Sequence, residues 1–337
     1  MVRYFFRFSY IGTQYRGVQK QVSVPNIRDG DTVQGALEAA LLNILPKTTI
    51  RPNIYLSSRT DAGVHALCNA GHVELENKYN VLYKDDNIKA FVNRYFNKCG
   101  HTIRLLEFTP VTNDFHARGS CKSRTYIYRF MIPKVPGEQR IPLVDAPHTY
   151  LVKAHDFDVD RVKCGTQLFM GVKDFTTFSS MSITNRKIEY VRALHDFTLE
   201  EAQSLISFDP LSENFRYFQF VCKARSFLYN QVRRMVGALI SLGLRKITEK
   251  DINVMLQVPS HHNWNPRASS APANGLHLVN LEYDEEELKR CTLSEEQHEK
   301  MLLEQQDQKV QSEEQNQDLL PEEQEEQEQE RQQELAK

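Results

Sequence analysis

The chain has 337 residues, 40% of them hydrophobic, which is enough apolar content for one large domain or two of medium size. Its formal net charge of −2 conceals a segregation, because residues 285–337 carry 18 acidic and 6 basic side chains while residues 1–284 carry 26 acidic and 36 basic ones. A body with this excess of basic residues suits a polyanionic partner.

The cysteines and the apolar runs exclude several classes of protein. Six cysteines are scattered without a C-x-x-C pair, which argues against a zinc motif and a disulfide framework and favours a reducing compartment. No apolar run approaches the roughly 18 residues that span a bilayer, so no membrane partner is expected. The sequence predicts an intracellular protein, of the mitochondrion or the cytoplasm, that is not secreted.

The N-terminal segment is basic, which is also typical of a mitochondrial transit peptide. However, apolar side chains at Val2, Tyr4, Phe6 and Phe8 alternate with their neighbours, and a period of two predicts a strand. A helix is predicted next, with Asp31 as its N-cap, Gln34 in the reciprocal capping-box position and Pro46 as its end. Further strands are predicted at 50–56, 70–75 and 102–108, and a second helix at 88–96.

The stretch SSRTDAGVHA at residues 57–66 is the candidate centre of chemistry. Asp61 follows Arg59 by two residues and precedes Gly63 by two, and a glycine there favours a tight turn. A cation beside a carboxylate lowers its pKa by about 1–3 units, so Arg59 is predicted to hold Asp61 ionised. From these residues alone, an ordinary surface turn remains the favoured interpretation.

The pattern restarts near residue 112, where we place a domain boundary. The period of two in residues 123–130 places Arg124, Tyr126, Tyr128 and Phe130 on one face of a strand. A helix is predicted over 156–169, strands over 186–198, 215–224 and 277–283, and a helix over 226–242 that contains Arg233 near the edge of its buried stripe.

From residue 285 onward, glutamate and glutamine dominate and aromatic residues vanish. Such a composition cannot bury enough apolar area to offset the entropy of ordering, so a disordered or loosely helical tail is expected. The predicted organisation is an N-terminal half over 1–111, a C-terminal half over 112–284 and an acidic tail over 285–337.

Three blocks, SSRTDAGVHAL at 57–67, SRTYIYR at 123–129 and SFLYNQVRRM at 226–235, resemble the TruA family of tRNA pseudouridine synthases and its metazoan branch most closely. Further similar blocks, DFHAR at 114–118 and APANGL at 271–276, keep the family's order along most of residues 1–284. One departure is Val18, which stands where the family usually has a tryptophan.

The resemblance implies an α+β fold of two similar halves, whose antiparallel sheets meet at a basic central cleft with helices on the outer faces. It also implies tRNA as substrate, modified in the anticodon stem-loop, and a homodimer that binds one tRNA across both subunits. Isomerisation of uridine changes no oxidation state and releases no group, so neither a metal nor another cofactor is expected.

The resemblance also implies roles for individual residues. Asp61 corresponds to the family's nucleophile, Arg233 to the arginine that pairs with it, and Tyr126 to the tyrosine that packs on the extruded uracil. Arg59 is expected to fill the space that the base leaves. The remaining predicted substrate-binding residues are Arg118 and Arg124.

Two other functions would use the same residues. The first is an RNA-binding protein that kept the fold and lost catalysis, although the presence of Asp61, Tyr126 and Arg233 does not favour it. The second is an N-glycosidase that hydrolyses a nucleoside bond with the same aspartate and releases free uracil.

Overall fold

Ten strands and six α-helices make up most of the regular structure of the described residues, which in this computed structural model are 1–21, 28–44, 49–76, 81–181, 188–300 and 303. The strands are β1 (Val2–Tyr10), β2 (Ile54–Leu56), β3 (His65–Leu75), β4 (Ile103–Val111), β5 (Cys121–Pro133), β6 (Tyr150–Leu151), β7 (Gly171–Asp174), β8 (Val191–Ala202), β9 (Phe215–Ala224) and β10 (Leu276–Tyr283). The helices are α1 (Val33–Leu42), α2 (Asp85–Lys98), α3 (Val159–Gly165), α4 (Gln231–Gly243), α5 (Glu249–Gln257) and α6 (Glu285–Cys291).

The strands form one sheet in the order β4-β1-β3-β10-β5-β9-β8-β7, with β2 paired to β3 and β6 to β5. Most pairings are antiparallel, which confirms the predicted α+β class. The two expected sheets are joined at their edges, because β10 pairs in parallel with the start of β3, His277 opposite His65. Strand β10, the last in the described part of the chain, therefore links β3 to β5 beside the Asp61 loop.

Strand β1 is buried on both faces, which explains why its aromatic residues are so dense. Tyr4 stacks on Phe108 at 4.8 Å between ring centroids, and Phe5 meets Phe115 edge-on at 5.1 Å. The strand predicted from the period of two is confirmed, and Phe5 is as fully buried as its alternating neighbours.

The start of α1 differs from the prediction by one residue. Thr32 is the N-cap, and its hydroxyl accepts a hydrogen bond from the Gly35 N–H at 3.2 Å. Gln34 does not close a capping box, because its buried amide donates to Glu38 Oε1 and to the Ile54 carbonyl. The predicted end of the helix at Pro46 lies outside the described residues.

Helix α4 begins at Gln231, five residues later than predicted. Asn230 adopts a left-handed φ of 60°, which interrupts any helix that would run through it. The Gln231 side chain accepts from the Leu228 N–H at 2.8 Å, and this bond organises the turn that precedes the helix. Helix α5 was not predicted, although Thr248 and Asp251 form a capping box at its start.

The other predicted elements are present with shifted ends, and β9 has the predicted bounds. Strand β3 begins at His65, immediately after the Asp61 loop. The predicted helix over 156–169 is α3 followed by a 3-10 turn at Thr166–Phe169. Strand β8 begins at Val191, and residues 186 and 187 of that prediction lie outside the described part of the chain.

The fold continues past residue 284, where the acidic tail was expected to begin. Asp284 caps α6, and Cys291 and Leu293 are buried. The Leu293 N–H donates to the Pro110 carbonyl at 2.9 Å, which fixes this segment beside β4. Residues 304–337 lie outside the described part of the chain. Within the described part, none of the helices has the length and hydrophobicity of a membrane span.

Candidate active site

The Asp61 loop is a tight turn whose main chain is hydrogen-bonded to two neighbouring segments. The Val64 N–H donates to the Asp61 carbonyl at 3.2 Å, and Gly63 has a φ of +78°. The Ser57 N–H donates to the Ala70 carbonyl at 2.8 Å, and the Thr60 carbonyl accepts from Val18 at 3.2 Å. The turn that Gly63 predicted is therefore confirmed, and the main chain on both sides of it is fixed.

The cation that contacts Asp61 is Arg233, which comes from the first turn of α4. Arg233 Nη1 lies 3.2 Å from Asp61 Oδ2, and the two side chains are 21% and 26% exposed. Arg233 Nε donates to the Ala271 carbonyl at 2.8 Å, and Nη1 also donates to Asn230 Oδ1 at 2.9 Å. The guanidinium is thus held in place by groups other than the aspartate.

A glycine allows α4 to approach the segment that holds Arg233. A β-carbon on Gly237 would lie only 2.0 Å from the Ser269 carbonyl oxygen. The close approach lets the Ala271 N–H donate to the Arg233 carbonyl at 2.9 Å, in addition to the bond from the guanidinium. The packing of the helix therefore sets the position of the arginine.

Burial and Arg233 act on Asp61 in opposite directions. Burial raises the pKa of the Asp61 carboxyl above its ordinary value, and Arg233 lowers it through charge and a hydrogen bond, but burial has the larger effect. The ion pair of Asp61 is with Arg233, the partner that the family resemblance implies, whereas Arg59, which the local sequence suggests, is exposed.

Tyr126 on β5 is fixed against the same loop. It is 6% exposed, and its hydroxyl lies 3.0 Å from Ser58 Oγ. The ring meets Phe227 edge-on, with 5.2 Å between centroids and 89° between planes. Burial raises the pKa of Tyr126, so its phenol is neutral at pH 7. The tyrosine is an apolar wall with its hydroxyl tied to the loop.

A cavity of about 460 Å³ brings the six predicted residues together, a size within the ordinary range for small-molecule sites. Its lining includes Asp61, Arg59, Arg233, Tyr126, Arg118 and Arg124. Among the lining residues that the structure describes, five are arginines and one is acidic. The cavity therefore attracts an anion and places one carboxylate within it.

The arginines differ in how they can meet a ligand. Arg59 and Arg118 are exposed, so their guanidinium groups are accessible. Arg124 is 7% exposed, and its two terminal nitrogens donate to the carbonyls of Ser57, at 3.0 Å, and of Arg225. Arg124 therefore fixes the segment before Asp61, and its role in substrate binding stays a prediction.

Several lining residues were missed by reasoning from the sequence. Phe227 and Asn230 lie in the SFLYNQ segment, for which the sequence predicts the first turns of a helix. Tyr190 and Arg192 come from a segment predicted only as a strand. The signal for Asn230 was available, because asparagine is enriched in left-handed conformations.

A cluster of histidines lies at the junction between β3 and β10. Nitrogen atoms of His65, His148 and His277 lie within 4.8 Å of one another. His65 Nδ1 accepts from the Gly12 N–H at 3.1 Å while Nε2 faces the Pro147 carbonyl at 2.9 Å, so both ring nitrogens are occupied. Burial lowers the pKa of His65 to about 4 and that of His277 to about 3. The rings are neutral at pH 7 and pack the junction.

Comparison with known proteins gives a consistent similarity. A family model described as tRNA pseudouridine synthase matches residues 166–284. The chain is 30% identical to tRNA pseudouridine synthase-like 1 of Xenopus laevis over 88% of this chain and 96% of that protein. It is 32% identical to tRNA pseudouridine synthase A of a Caulobacter species over 85% and 100%, and 29% identical to the human tRNA pseudouridine synthase-like 1 over 86% and 93%.

Proposed function

The chain belongs to the TruA family of tRNA pseudouridine synthases, and on that premise we propose that it isomerises uridine to pseudouridine in tRNA with Asp61 as nucleophile. The observation that carries the proposal is the ion pair between Asp61 and Arg233, which are 172 residues apart and meet in one cavity with Tyr126. A carboxylate, its cation and an aromatic wall are the groups that this reaction requires.

The reaction rearranges one nucleotide without a net gain or loss of atoms. The C1′–N1 bond breaks, the uracil rotates and a C1′–C5 bond forms, while C5 loses a proton and N1 gains one. Asp61 can attack C1′ or C6, or start an elimination at the sugar, and each route requires an ionised carboxylate beside the extruded nucleotide. No step requires a change of oxidation state.

The electrostatics of the pair suit this task. A partly buried carboxylate is poorly solvated, as its raised pKa reflects, and is therefore more reactive than a carboxylate in water. Arg233 opposes protonation and, because other groups hold its guanidinium, stays in place when substrate displaces water. The arrangement keeps Asp61 charged without surrounding it with hydrogen-bond donors.

Tyr126 supplies the contact with the base. Extruding a nucleotide from its stack costs a few kcal/mol, and stacking a base on an aromatic ring returns about 1–3 kcal/mol. Phe227 and Ser58 hold the tyrosine ring before substrate arrives. We assign the exposed Arg59 to the space that the base leaves, and the exposed Arg118 to a phosphate.

The wider assembly is part of the same proposal. The basic body of residues 1–284 would bind the tRNA backbone, with the target uridine in the anticodon stem-loop. A homodimer that holds one tRNA across both subunits, in the mitochondrion or the cytoplasm, is supported by the family resemblance alone.

The test is release of tritium from tRNA that contains 5-³H-uridine, followed by nucleoside analysis of the RNA. The purified protein is expected to release tritium and to leave pseudouridine in the chain. Binding of tRNA without release would support the inactive RNA-binding protein, and free uracil would support the N-glycosidase. Either result would overturn the proposal.

A further inference from the structure

A buried asparagine lies beneath the loop that carries Asp61. Asn69 on β3 is fully buried, and each atom of its amide has a partner. Nδ2 donates to the Ser58 carbonyl at 3.1 Å and to the Tyr10 hydroxyl at 3.3 Å, while Oδ1 accepts from the Ala70 N–H at 2.8 Å. The side chain therefore joins β1, β3 and the loop.

The hydroxyl of Tyr10 lies between Asn69 and Thr60 and hydrogen-bonds to both. Tyr10 accepts from Asn69, and its hydroxyl also pairs with Thr60 Oγ1 at 2.7 Å, where either hydroxyl can donate. Burial raises the pKa of Tyr10, so the phenol keeps its proton at neutral pH. Asn69 thus holds Ser58 directly and Thr60 through Tyr10.

Ser58, the loop residue that Asn69 holds, also positions the ring of Tyr126. The Ser58 carbonyl accepts from Asn69, and the Ser58 hydroxyl lies 3.0 Å from the hydroxyl of Tyr126. The backbone at Ser58 is therefore shared between the support of the Asp61 loop and the support of Tyr126. A shift of this residue would move both groups relative to each other.

We infer that Asn69 is a positioning residue, which sets the distance between the Asp61 carboxylate and the Tyr126 ring without touching the substrate. The inference rests on the proposed function, in which both groups act on one nucleotide. Misplacement of a catalytic group by about 1 Å can cost about a hundredfold in rate, so loss of one amide beneath the loop has a large kinetic effect.

The competing explanation is that Asn69 only stabilises the fold. Asn93 on α2 offers a matched control, because its Nδ2 donates to the Leu105 carbonyl at 2.9 Å and its Oδ1 accepts from the Leu105 N–H at 2.8 Å. Like Asn69, it joins two elements through hydrogen bonds of its amide, but its partner Leu105 does not line the cavity, whereas Ser58 and Thr60 do.

The experiment compares Asn69→Leu with Asn93→Leu at equal folded fraction. We expect kcat of Asn69→Leu to fall on the order of tenfold to a hundredfold, with KM for tRNA within about twofold of wild type. Asn93→Leu should keep kcat even where its Tm falls. Equal kcat losses in the two variants, or an unchanged kcat in Asn69→Leu, would overturn the inference.

A second measurement uses the protein without RNA. Tyr10→Phe removes only the hydroxyl between Asn69 and Thr60, and should speed amide hydrogen exchange at Val18, whose N–H binds the Thr60 carbonyl. Exchange at Leu105 should not change. Unchanged exchange at Val18 would overturn the inference, and this variant decides the matter if Asn69→Leu does not fold.

A wild-type protein that isomerises no uridine would instead refute the proposed function and leave the exchange result standing.

Discussion

In two arginine–carboxylate pairs of this molecule, the pKa of the carboxyl group is shifted in opposite directions. Arg161 donates to both oxygens of Glu249, at 2.7 and 2.8 Å, and these hydrogen bonds lower the pKa of Glu249 to about 2. Arg233 makes one contact to Asp61 at 3.2 Å, and burial raises the pKa of Asp61 despite that contact.

The difference follows from what else each arginine binds. The planar fork of Arg161 is matched to a carboxylate that is 45% exposed, which is the favourable geometry for a salt bridge. Arg233 also donates to the Ala271 carbonyl and to Asn230 Oδ1, so it offers Asp61 one contact instead of two. The two hydrogen bonds from Arg161 stabilise the ionised form of Glu249. Arg233 gives Asp61 only one hydrogen bond, which leaves the carboxylate more reactive.

The largest predicted effect separates the two carboxylates. Asp61→Asn keeps the shape of the side chain and removes its charge, so we expect kcat to fall by roughly a thousandfold or more while tRNA binding persists. Glu249→Gln should leave kcat unchanged. Tritium release in single-turnover reactions measures both, and an Asn variant that retained about a tenth of wild-type kcat would contradict the role of Asp61.

Removing each arginine is the next test. Arg233→Met leaves Asp61 buried without its cation, so its already raised pKa should rise further and kcat should fall by about a hundredfold near pH 7. Activity requires the ionised form, which is lost as the pH falls through the folded pKa. The acid limb of the pH–rate profile should therefore move to higher pH.

Arg161→Met is the control for this shift, because it lies outside the cavity and should leave the acid limb where it is. An acid limb that stayed in place or moved to lower pH in Arg233→Met would show that Arg233 does not oppose protonation of the reactive carboxyl.

Replacing arginine by lysine tests geometry at constant charge. Arg233→Lys keeps a cation near Asp61 but cannot hold both Ala271 and Asn230, so we expect kcat to fall by about tenfold, less than in Arg233→Met. Arg161→Lys loses the bidentate contact with Glu249, so it should lower the free energy of unfolding and leave kcat unchanged. If lysine at 233 were as damaging as methionine, the charge of this residue would not matter.

The smallest effects concern stability and have opposite signs for the two carboxylates. The folded pKa of Glu249 is depressed, so its ionised form stabilises the protein above its unfolded pKa, 4.5, and this contribution is lost as pH falls towards about 2. Because Glu249 is exposed, screening limits the change, and Glu249→Gln should lower the Tm at pH 7 by about 1–3 °C.

The folded pKa of Asp61 is raised, so its ionised form opposes folding at pH 7, and the penalty disappears as pH falls through the folded pKa. Asp61→Asn should therefore raise the Tm at pH 7 and lose that advantage in acid. Thermal unfolding between pH 3 and 8 measures both variants on one scale. A lower Tm for Asp61→Asn at pH 7 would show that the pair stabilises the fold.

The sequence predicted the local features of the site. Gly63 indicated the turn, the period of two placed Tyr126 on the buried face of its strand, and both features are present. These predictions succeed because each depends on neighbouring residues only. The local pattern suggests Arg59 as the partner of Asp61, and only the family resemblance points to Arg233, which is distant in sequence and close in space.

Other features depend on contacts that no local pattern encodes. Asn230 takes a left-handed conformation because its amide bridges Arg233 and Ser180, and this bridge delays the start of α4. Arg124 is predicted to bind substrate, but it is buried and its terminal nitrogens donate to the carbonyl groups of Ser57 and Arg225. Asn69 had no signal at all, because its partners come from three segments that only the sheet brings together.

The most direct test of the central claim is a map of pseudouridine in tRNA from cells that lack this chain, complemented with either the wild-type protein or Asp61→Asn. The account predicts that sites in the tRNA fraction disappear when the chain is absent, return with the wild-type protein and stay absent with the Asn variant at equal expression. A map that is unchanged by removal of the chain, or one that the Asn variant restores, would contradict it.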